Sequence, residues 1–360
     1  MKVIIAGGGT AGHLMPGIAV ARELLRRDPS TRILFVGAKK GIENTVVPNE
    51  GFELMTLPVG GLKRVGWVRA VGNFVAMGAA LIRSMGLLAR FAPDVVVGLG
   101  GYASFPAVGA AILRGVPPVI MEQNILPGLA NRVLGRRARF VAVPDHQAAG
   151  YFPGRAVVTG NPVRQAFKAI GPKAHQAPFT VLVTGGSQGA EAINSAVVAA
   201  LPLLSEWRNT LRFLHQTGSR QEADVRRSYL EAGFQADVSS FFSSFESCYE
   251  KADLIVSRAG NTSVAEIQAA GRASVLIPLA YAADDHQRRN ARVMVDRRAA
   301  IMIDPLELTG ERLAKEITFL LEEPERLTRI ERRAKEMAVL DAEARIADLI
   351  ERAASRSDGR

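Results

Sequence analysis

One pattern recurs along this 360-residue chain and leaves few folds open to it: an apolar strand runs into a glycine-rich turn, and a helix follows. Val3 to Ala6 leads into Gly7-Gly8-Gly9-Thr10-Ala11-Gly12-His13, then a helix over Met15 to Leu25 that Pro16 helps to start. Asp94 to Leu99 leads into Gly100-Gly101-Tyr102, with a helix from Ala107. The second half restarts the same order. Thr180 to Thr184 precedes Gly185-Gly186-Ser187-Gln188-Gly189-Ala190 and a helix from Glu191. Asp253 to Ser257 precedes Arg258-Ala259-Gly260-Asn261-Thr262, a helix ending near Gly271 and a strand over Ala273 to Pro278. Strands alternating with helices in this way imply parallel sheets, which bind ligands beyond the carboxyl ends of their strands. The chain is also too long for one ordinary core. The expectation is an α/β protein with two Rossmann-like doubly wound domains facing one another across a cleft, each holding one ligand.

Arg32 to Val36, Pro118 to Met121, Phe140 to Val143, Val157 to Thr159, Leu211 to Gln216, Ala236 to Ser239 and Arg297 to Ile303 read as further strands. Gly171-Pro172 and Pro178 punctuate a stretch with little periodicity. The expected division is therefore 1–161, a linker at 162–178, a second domain at 179–340, and a terminal helix within 341–360 that frays from Ser355. The net charge of +10 falls entirely in the first part: 18 Lys and Arg against 8 Asp and Glu up to Asn161, and 27 of each after it. That part should meet something anionic. No nucleic-acid-binding signature accompanies the charge, so a specific nucleic-acid partner is disfavoured and a phospholipid surface preferred.

The segment from Gly60 to Phe91 bears on that preference. A basic loop with Lys63, Arg64 and Trp67 precedes an apolar stretch whose longest uncharged run, Ala70 to Ile82, is too short to span a bilayer. It reads equally as a core helix or as a helix lying on an anionic membrane between Arg69, Arg83 and Arg90. The single cysteine, Cys248, excludes an intrachain disulfide and points to a reducing compartment. The start of the chain, Met1-Lys2-Val3, has no signal-peptide pattern.

Several residues carry potential chemistry. Gly7, Gly9 and Gly12 fit G-x-G-x-x-G, but no acidic residue clearly ends the second strand, so dinucleotide binding is the minority reading. His13, at the mouth of the first turn, can take a proton from a hydroxyl or simply hydrogen-bond the turn. Glu122-Gln123-Asn124 is a polar cluster at the end of a strand. Asn261, Thr262 or Ser263 can cap the next helix, whose N–H groups together with Gly260 suit a phosphate. Glu266, about a turn further on, can accept hydrogen bonds from sugar hydroxyls.

Seven motifs in order carry a family likeness: GGGTAGHLMPG from Gly7, GLGGYASFP from Gly98, EQNILPGLANR from Glu122, GNPVR from Gly160, TGGSQGA from Thr184, SRAGNTSVAEI from Ser257 and AADDHQRRNA from Ala282. Through them the chain resembles the bacterial N-acetylglucosaminyltransferases that make lipid II, the last membrane intermediate of peptidoglycan. The resemblance implies the GT-B fold, with the terminal helix reaching back to the first domain. It implies UDP-N-acetylglucosamine as donor, lipid I (undecaprenyl-diphospho-MurNAc-pentapeptide) as acceptor, and an inverted β-1,4 product. No metal or other cofactor is implied. The place implied is the cytoplasmic face of the plasma membrane, peripherally, with other cell-wall synthesis and division proteins as further candidate partners.

On the donor side the resemblance implies that Gly186, Ser187, Gln188 and Gly189 meet the diphosphate. Arg164 stands near the nucleotide with Arg258 and Gly260, Glu266 holds the ribose, and Gln287 meets the sugar hydroxyls. On the acceptor side it implies Thr10, Ala11, Gly12, His13, Gly100, Gly101, Tyr102 and Asn124, with His13 as general base and Glu122 as fallback. Three positions depart from the family pattern: Ala11 for a usual glycine, Met121 for a usual histidine, and Arg288 where some members carry glutamine. The alternatives are an epimerase acting on the same nucleotide sugar, another lipid-directed UDP-glycosyltransferase, and a non-catalytic nucleotide-sugar-binding protein.

Overall fold

The computed structural model describes residues 1–39, 41–59, 67–101, 103–186, 188–280 and 285–355, with backbone alone for Ala11 and residues 67–75. Tyr102, Ser187 and the Gly60–Gly66 loop lie outside the described residues. The chain forms two compact units, one of Met1–Pro162 joined by the chain from Asp341 on, the other of Val163–Leu340.

The first unit is a parallel seven-stranded sheet of β1 (Lys2–Gly7), β2 (Arg32–Ala38), β3 (Glu53–Leu57), β4 (Val95–Gly100), β5 (Pro118–Met121), β6 (Phe140–Val143) and β7 (Ala156–Val158). The spatial order is β3-β2-β1-β4-β5-β6-β7, so strand order reverses between β1 and β4. Those two strands are almost wholly apolar and buried because helices cover both faces, which is what a parallel sheet requires. On one face Val3, Ile5, Val95 and Val97 pack with Leu14 and Ile18 of the Ala11–Arg27 helix and with Ile346, Leu349 and Ile350 of the Ala342–Ala354 helix. Arg27 secures this terminal helix by donating to Asp348 (2.7 Å), Glu351 (3.0 Å) and the Ala344 carbonyl (2.9 Å). Ile350→Ala should cost about 2–5 kcal/mol through the cavity it leaves. On the other face Ile4, Val96 and Ile120 meet Leu87 and Leu88 of the Trp67–Phe91 helix and Ala107 and Ala111 of the Ser104–Arg114 helix.

The core reading of the 60–91 stretch holds for one side of its helix. Over its described side chains the helix buries Ala80, Ser84, Leu87 and Leu88 but leaves Ile82 73% exposed beside exposed Arg83. No helix among the described residues is long and apolar enough to cross a membrane.

The second unit is a parallel six-stranded sheet of β8 (Phe179–Thr184), β9 (Leu211–Gln216), β10 (Gln235–Ser239), β11 (Leu254–Ser257), β12 (Ala273–Leu276) and β13 (Ile301–Met302). Its order is β10-β9-β8-β11-β12-β13, with the reversal between β8 and β11.

Several local expectations are corrected. The first helix begins at Ala11, with Thr10 as its cap and Pro16 inside it. The helix after β11 is capped by Gly260, and Asn261, Thr262 and Ser263 lie within its first turn. The last strand shrinks to two residues. β3 and the Glu43–Asn49 helix, unread in the sequence, complete the first sheet's edge. Residues 162–178, read as linker, are largely fastened to the second unit. Val163, Phe167 and Ile170 are buried in its core, the Arg272 guanidinium donates to the Gly171 carbonyl at 3.0 Å, and buried Asp253 accepts from Lys173 (2.7 Å) and pairs with His175 Nδ1 (2.8 Å).

Candidate functional site

Each unit gathers its polar residues where its strand order reverses, the place a doubly wound sheet offers a ligand. In the first unit the turns after β1 and β4 touch. Gly7 pairs with Gly100 across the sheet, and a Cβ on Gly7 would stand 2.7 Å from the Gly100 carbonyl oxygen, so a side chain at Gly7 would drive the two turns apart. Thr10 caps the helix through its carbonyl, which accepts from the N–H groups of His13 (3.2 Å) and Leu14 (3.1 Å). His13 is thereby fixed in the first turn, half-buried, with Nδ1 2.9 Å from Thr10 Oγ1. Its ring lies beside Gly100, where an added Cβ would meet His13 Cδ2 at 3.3 Å and Asn131 Nδ2 at 3.1 Å.

The structure thus brings together His13, Gly100 and the loop after β5. Glu122 is only 3% exposed. Its Oε1 accepts from Asn124 N (2.8 Å) and Asn124 Nδ2 (3.3 Å), and its Oε2 from Gly128 N (3.1 Å) and Asn131 Nδ2 (2.9 Å). Burial holds its pKa above the ordinary carboxylate range, and those donors offset the rise only in part. A carboxylate whose two oxygens already accept four hydrogen bonds is arranged to shape the 122–131 loop. The expectation of Glu122 as a fallback base is poorly served by that geometry. Met121, in place of the usual histidine, is buried with the apolar cluster behind β5.

Two residues of this corner escaped the sequence reading. Asn131 stands within the EQNILPGLANR motif with nothing in the sequence to single it out, yet it joins Glu122 to the Gly100 turn. Glu43 is fully buried; its Oε2 accepts from Gly9 N (2.9 Å) and its Oε1 from Ala38 N (2.8 Å). The only sequence signal for it was a glutamate amid glycines, at Gly37 and Gly41.

In the second unit the loop between β8 and the Glu191–Ala200 helix is built by backbone interlock. A Cβ on Gly189 would collide with the Thr217 carbonyl, and one on Gly218 with that of Gln188, so the loop lies directly on the turn after β9. Gln216 Nε2 donates to the Gly186 carbonyl at 3.1 Å. The N–H groups of Gly186 and Gly189, expected to meet a diphosphate, are engaged inside the loop, with Thr184 Oγ1 (3.1 Å) and the Gly186 carbonyl (3.0 Å). Beneath it runs a buried neutral chain. Asn194 Nδ2 donates to the Thr217 carbonyl (3.0 Å) and Gln221 Oε1 (2.8 Å). Its Oδ1 lies 3.0 Å from His215 Nε2, and His215 Nδ1 lies 3.1 Å from the Tyr229 hydroxyl. Burial pushes the His215 pKa down to about 3, so the ring is neutral at physiological pH.

Beside β11, Glu266 is 18% exposed and its Oε1 lies 4.0 Å from the Arg164 guanidinium. Arg164 also faces Glu246 at 3.5 Å and stacks over the Phe167 ring at 4.7 Å. Burial lifts the Glu266 pKa to about 7; Arg164 opposes the rise and Glu246 adds to it. Arg258 and Gln287 do not join this group. Arg258 donates to the carbonyls of Ile277 (3.2 Å) and Pro278 (2.8 Å), and Gln287 Oε1 accepts from Leu279 N at 2.9 Å, so both shape the turn after β12. Arg288 is engaged with Asp304 and, at 3.4 Å, with Asp285. Among the described residues no group of three or more His, Cys, Asp or Glu side chains is placed to hold a metal ion.

Comparison with known proteins fits this construction. The glycosyltransferase family 28 N-terminal domain matches residues 3–143, and the family 28 C-terminal domain matches residues 180–350. A UDP-N-acetylglucosamine–N-acetylmuramyl-(pentapeptide) pyrophosphoryl-undecaprenol N-acetylglucosamine transferase of Myxococcus xanthus is 46% identical over 352 residues, covering 97% of this chain and 92% of that one. One of the same description from Syntrophus aciditrophicus is 46% identical over 351 residues, covering 97% of each. The crystal structure of Acinetobacter baumannii MurG superimposes with a TM-score of 0.81 at 29% identity, covering 98% of this chain and 99% of that one.

Proposed function

The chain belongs to glycosyltransferase family 28 and has the GT-B fold, and we propose that it transfers N-acetylglucosamine from UDP to the C4 hydroxyl of the MurNAc sugar of lipid I, making lipid II. The observation that carries this reading is the pair of polar clusters, one at the strand reversal of each unit, in a chain similar over nearly its whole length to transferases of that description.

The acceptor hydroxyl attacks the anomeric carbon from the face opposite UDP, in one displacement that inverts the centre. The bond between the acceptor's C4 oxygen and the anomeric carbon forms, the bond from that carbon to the diphosphate oxygen breaks, and the hydroxyl proton must go to a base. His13 is our choice. The role requires the tautomer in which Nδ1–H donates to Thr10 Oγ1, which puts the basic lone pair on Nε2. Asn124, held by Glu122, and the Gly12, Gly100 and Gly101 backbone are proposed to shape the acceptor side.

On the donor side Glu266 is proposed to accept hydrogen bonds from the ribose, with Arg164 holding its charge. Because Gly186 and Gly189 are engaged internally, the proposed contacts to the departing diphosphate are the backbone near Gln188 and the amino end of the Glu191–Ala200 helix. Groups of this kind contribute roughly 2.7–4 kcal/mol each in comparable anion sites.

The acceptor lipid places the reaction at the cytoplasmic face of the plasma membrane, with the protein bound peripherally. Exposed Leu129 and Val133, four residues apart on one short helix among exposed Arg132, Arg136 and Arg137, support contact with an anionic lipid surface, as does Ile82 beside Arg83. The test is transfer of labelled sugar from UDP-N-acetylglucosamine to a short-chain lipid I analogue, with and without a chelator. Conversion of the nucleotide sugar with no lipid present would favour an epimerase, and UDP binding without turnover a non-catalytic protein.

A further inference from the structure

Glu43 lies at no position the family motifs assign, yet it is the group around which the first glycine turn is formed. Its carboxylate is fully buried between the first glycine turn and the end of β2 and bonds to one N–H from each, Gly9 at 2.9 Å and Ala38 at 2.8 Å. Glycines wrap it closely. A Cβ on Gly8 would stand 2.8 Å from Glu43 Cδ, one on Gly37 would stand 2.5 Å from its Cγ, and one on Gly41 would overlap Oε2. Any side chain at those positions would evict the carboxylate. On its other side the turn touches the β4 turn, where a Cβ on Gly101 would meet the Gly8 carbonyl oxygen at 3.1 Å.

The residue after Gly9 is Thr10, whose carbonyl caps the helix and whose hydroxyl meets the His13 ring. A shift of Gly9 is therefore passed to His13 with little slack. A surface salt bridge would not explain this placement, since both partners are backbone N–H groups and the carboxylate is shut off from solvent. Burying a carboxylate is costly unless donors satisfy it, so a charged anchor under a turn is a specific arrangement rather than a default one.

We propose that Glu43 is a positioning residue for the transfer reaction: it sets the Gly8–Thr10 backbone so that His13 stands correctly toward the acceptor hydroxyl. The proposal rests on the reading of His13 as base in lipid I glycosylation. Glu43→Gln keeps the size but retains one acceptor oxygen for two N–H donors, and sets an amide donor against one of them.

The experiment is steady-state transfer from UDP-N-acetylglucosamine to a short-chain lipid I analogue by the full chain, comparing wild type, Glu43→Gln, His13→Ala and the double variant. Glu43→Gln should lower kcat about tenfold, the order expected of one lost charged hydrogen bond, with the KM for the nucleotide sugar within about twofold. Residues acting as one unit are not additive, so in the His13→Ala background the same change should alter kcat less than about twofold. If Glu43→Gln does not accumulate folded, Gly37→Ala, outside the His13 turn, displaces the Glu43 side chain through a Cβ 2.5 Å from its Cγ and should give the same pattern. Wild-type kcat in Glu43→Gln, full additivity with His13→Ala, or a donor KM rising in step would overturn the proposal. Failure of the wild-type chain to transfer at all would instead remove the reading of the reaction.

Discussion

The two glycine turns that open the sheets, 7–12 in the first unit and 185–190 in the second, follow one sequence grammar but are held in opposite ways. The first sits on a buried carboxylate, with the Gly9 N–H committed to Glu43. The second sits on backbone and neutral side chains: the Thr217 carbonyl, Gln216, Asn194 and an uncharged His215. A turn facing a departing diphosphate gains from having no negative charge behind it, since anion stabilisation there depends on N–H dipoles in a low-dielectric setting. A turn whose task is to fix an imidazole can carry a charge underneath, because what it supplies is position. The comparison teaches that a shared strand–glycine–helix motif sets where a ligand binds, and the groups beneath the turn set what the turn can do.

The largest effect that could break this contrast is at His13. His13→Ala should lower kcat by about 10²–10⁴-fold, the usual contribution of a positioned general base, while the KM for UDP-N-acetylglucosamine stays within about twofold. A donor KM that rises with it would erase the division between the turns. Next in size, Glu266→Ala should raise the donor KM by about tenfold or more, as expected for lost hydrogen bonds to a charged group, with a smaller change in kcat.

A pH series sharpens the same point. With its pKa lifted to about 7, Glu266 gains its charge between pH 6 and 8, and the carboxylate is the better acceptor for ribose hydroxyls. The donor KM should therefore fall by about three- to tenfold as pH rises through that window, and Glu266→Gln should flatten the profile. The smallest effect concerns a group that belongs to neither turn. His175 sits between Asp253 and Glu331, which raise its pKa to about 9. Its folded-state pKa lies above the ordinary value, so the stabilisation is complete below about pH 6.5 and fades as pH rises through 9. Wild type should lose about 1–2 kcal/mol more than His175→Asn between pH 7 and 10, after allowance for solvent screening. Donor and acceptor KM should not move with it; thermal unfolding and steady-state kinetics measure the two sides.

How far the sequence carries depends on whether a residue's role is local. β1, β4, β8 and β11 with their turns were legible because an apolar run into glycines has few other uses. Glu266 was legible because its distance from the start of its helix is set by the helix. β3 was missed because an edge strand with alternate residues exposed carries a weak pattern, and Glu43 because a glutamate in a glycine-rich loop reads as solvated surface. Only the folded proximity of Gly9 and Ala38, 29 positions apart in the chain, gives it partners. The 162–178 segment misled in the opposite direction. Its glycine and prolines are true to a segment with little regular structure beyond the short Gln165–Lys168 helix, but Phe167, His175 and Lys173 find buried partners contributed by residues far along the chain. Arg258 and Gln287 sit in motifs associated with the donor, yet their hydrogen bonds shape a turn, a distinction that geometry alone supplies.

The central claim is that the nucleotide sugar belongs to the second unit and that its ribose meets Glu266. The most direct measurement is a crystal structure of the full chain with UDP-N-acetylglucosamine bound. The account predicts ribose hydroxyls within hydrogen-bond distance of the Glu266 carboxylate and the diphosphate at the 185–190 turn. A nucleotide contacting only residues before Asn161, with Glu266 untouched, would contradict it.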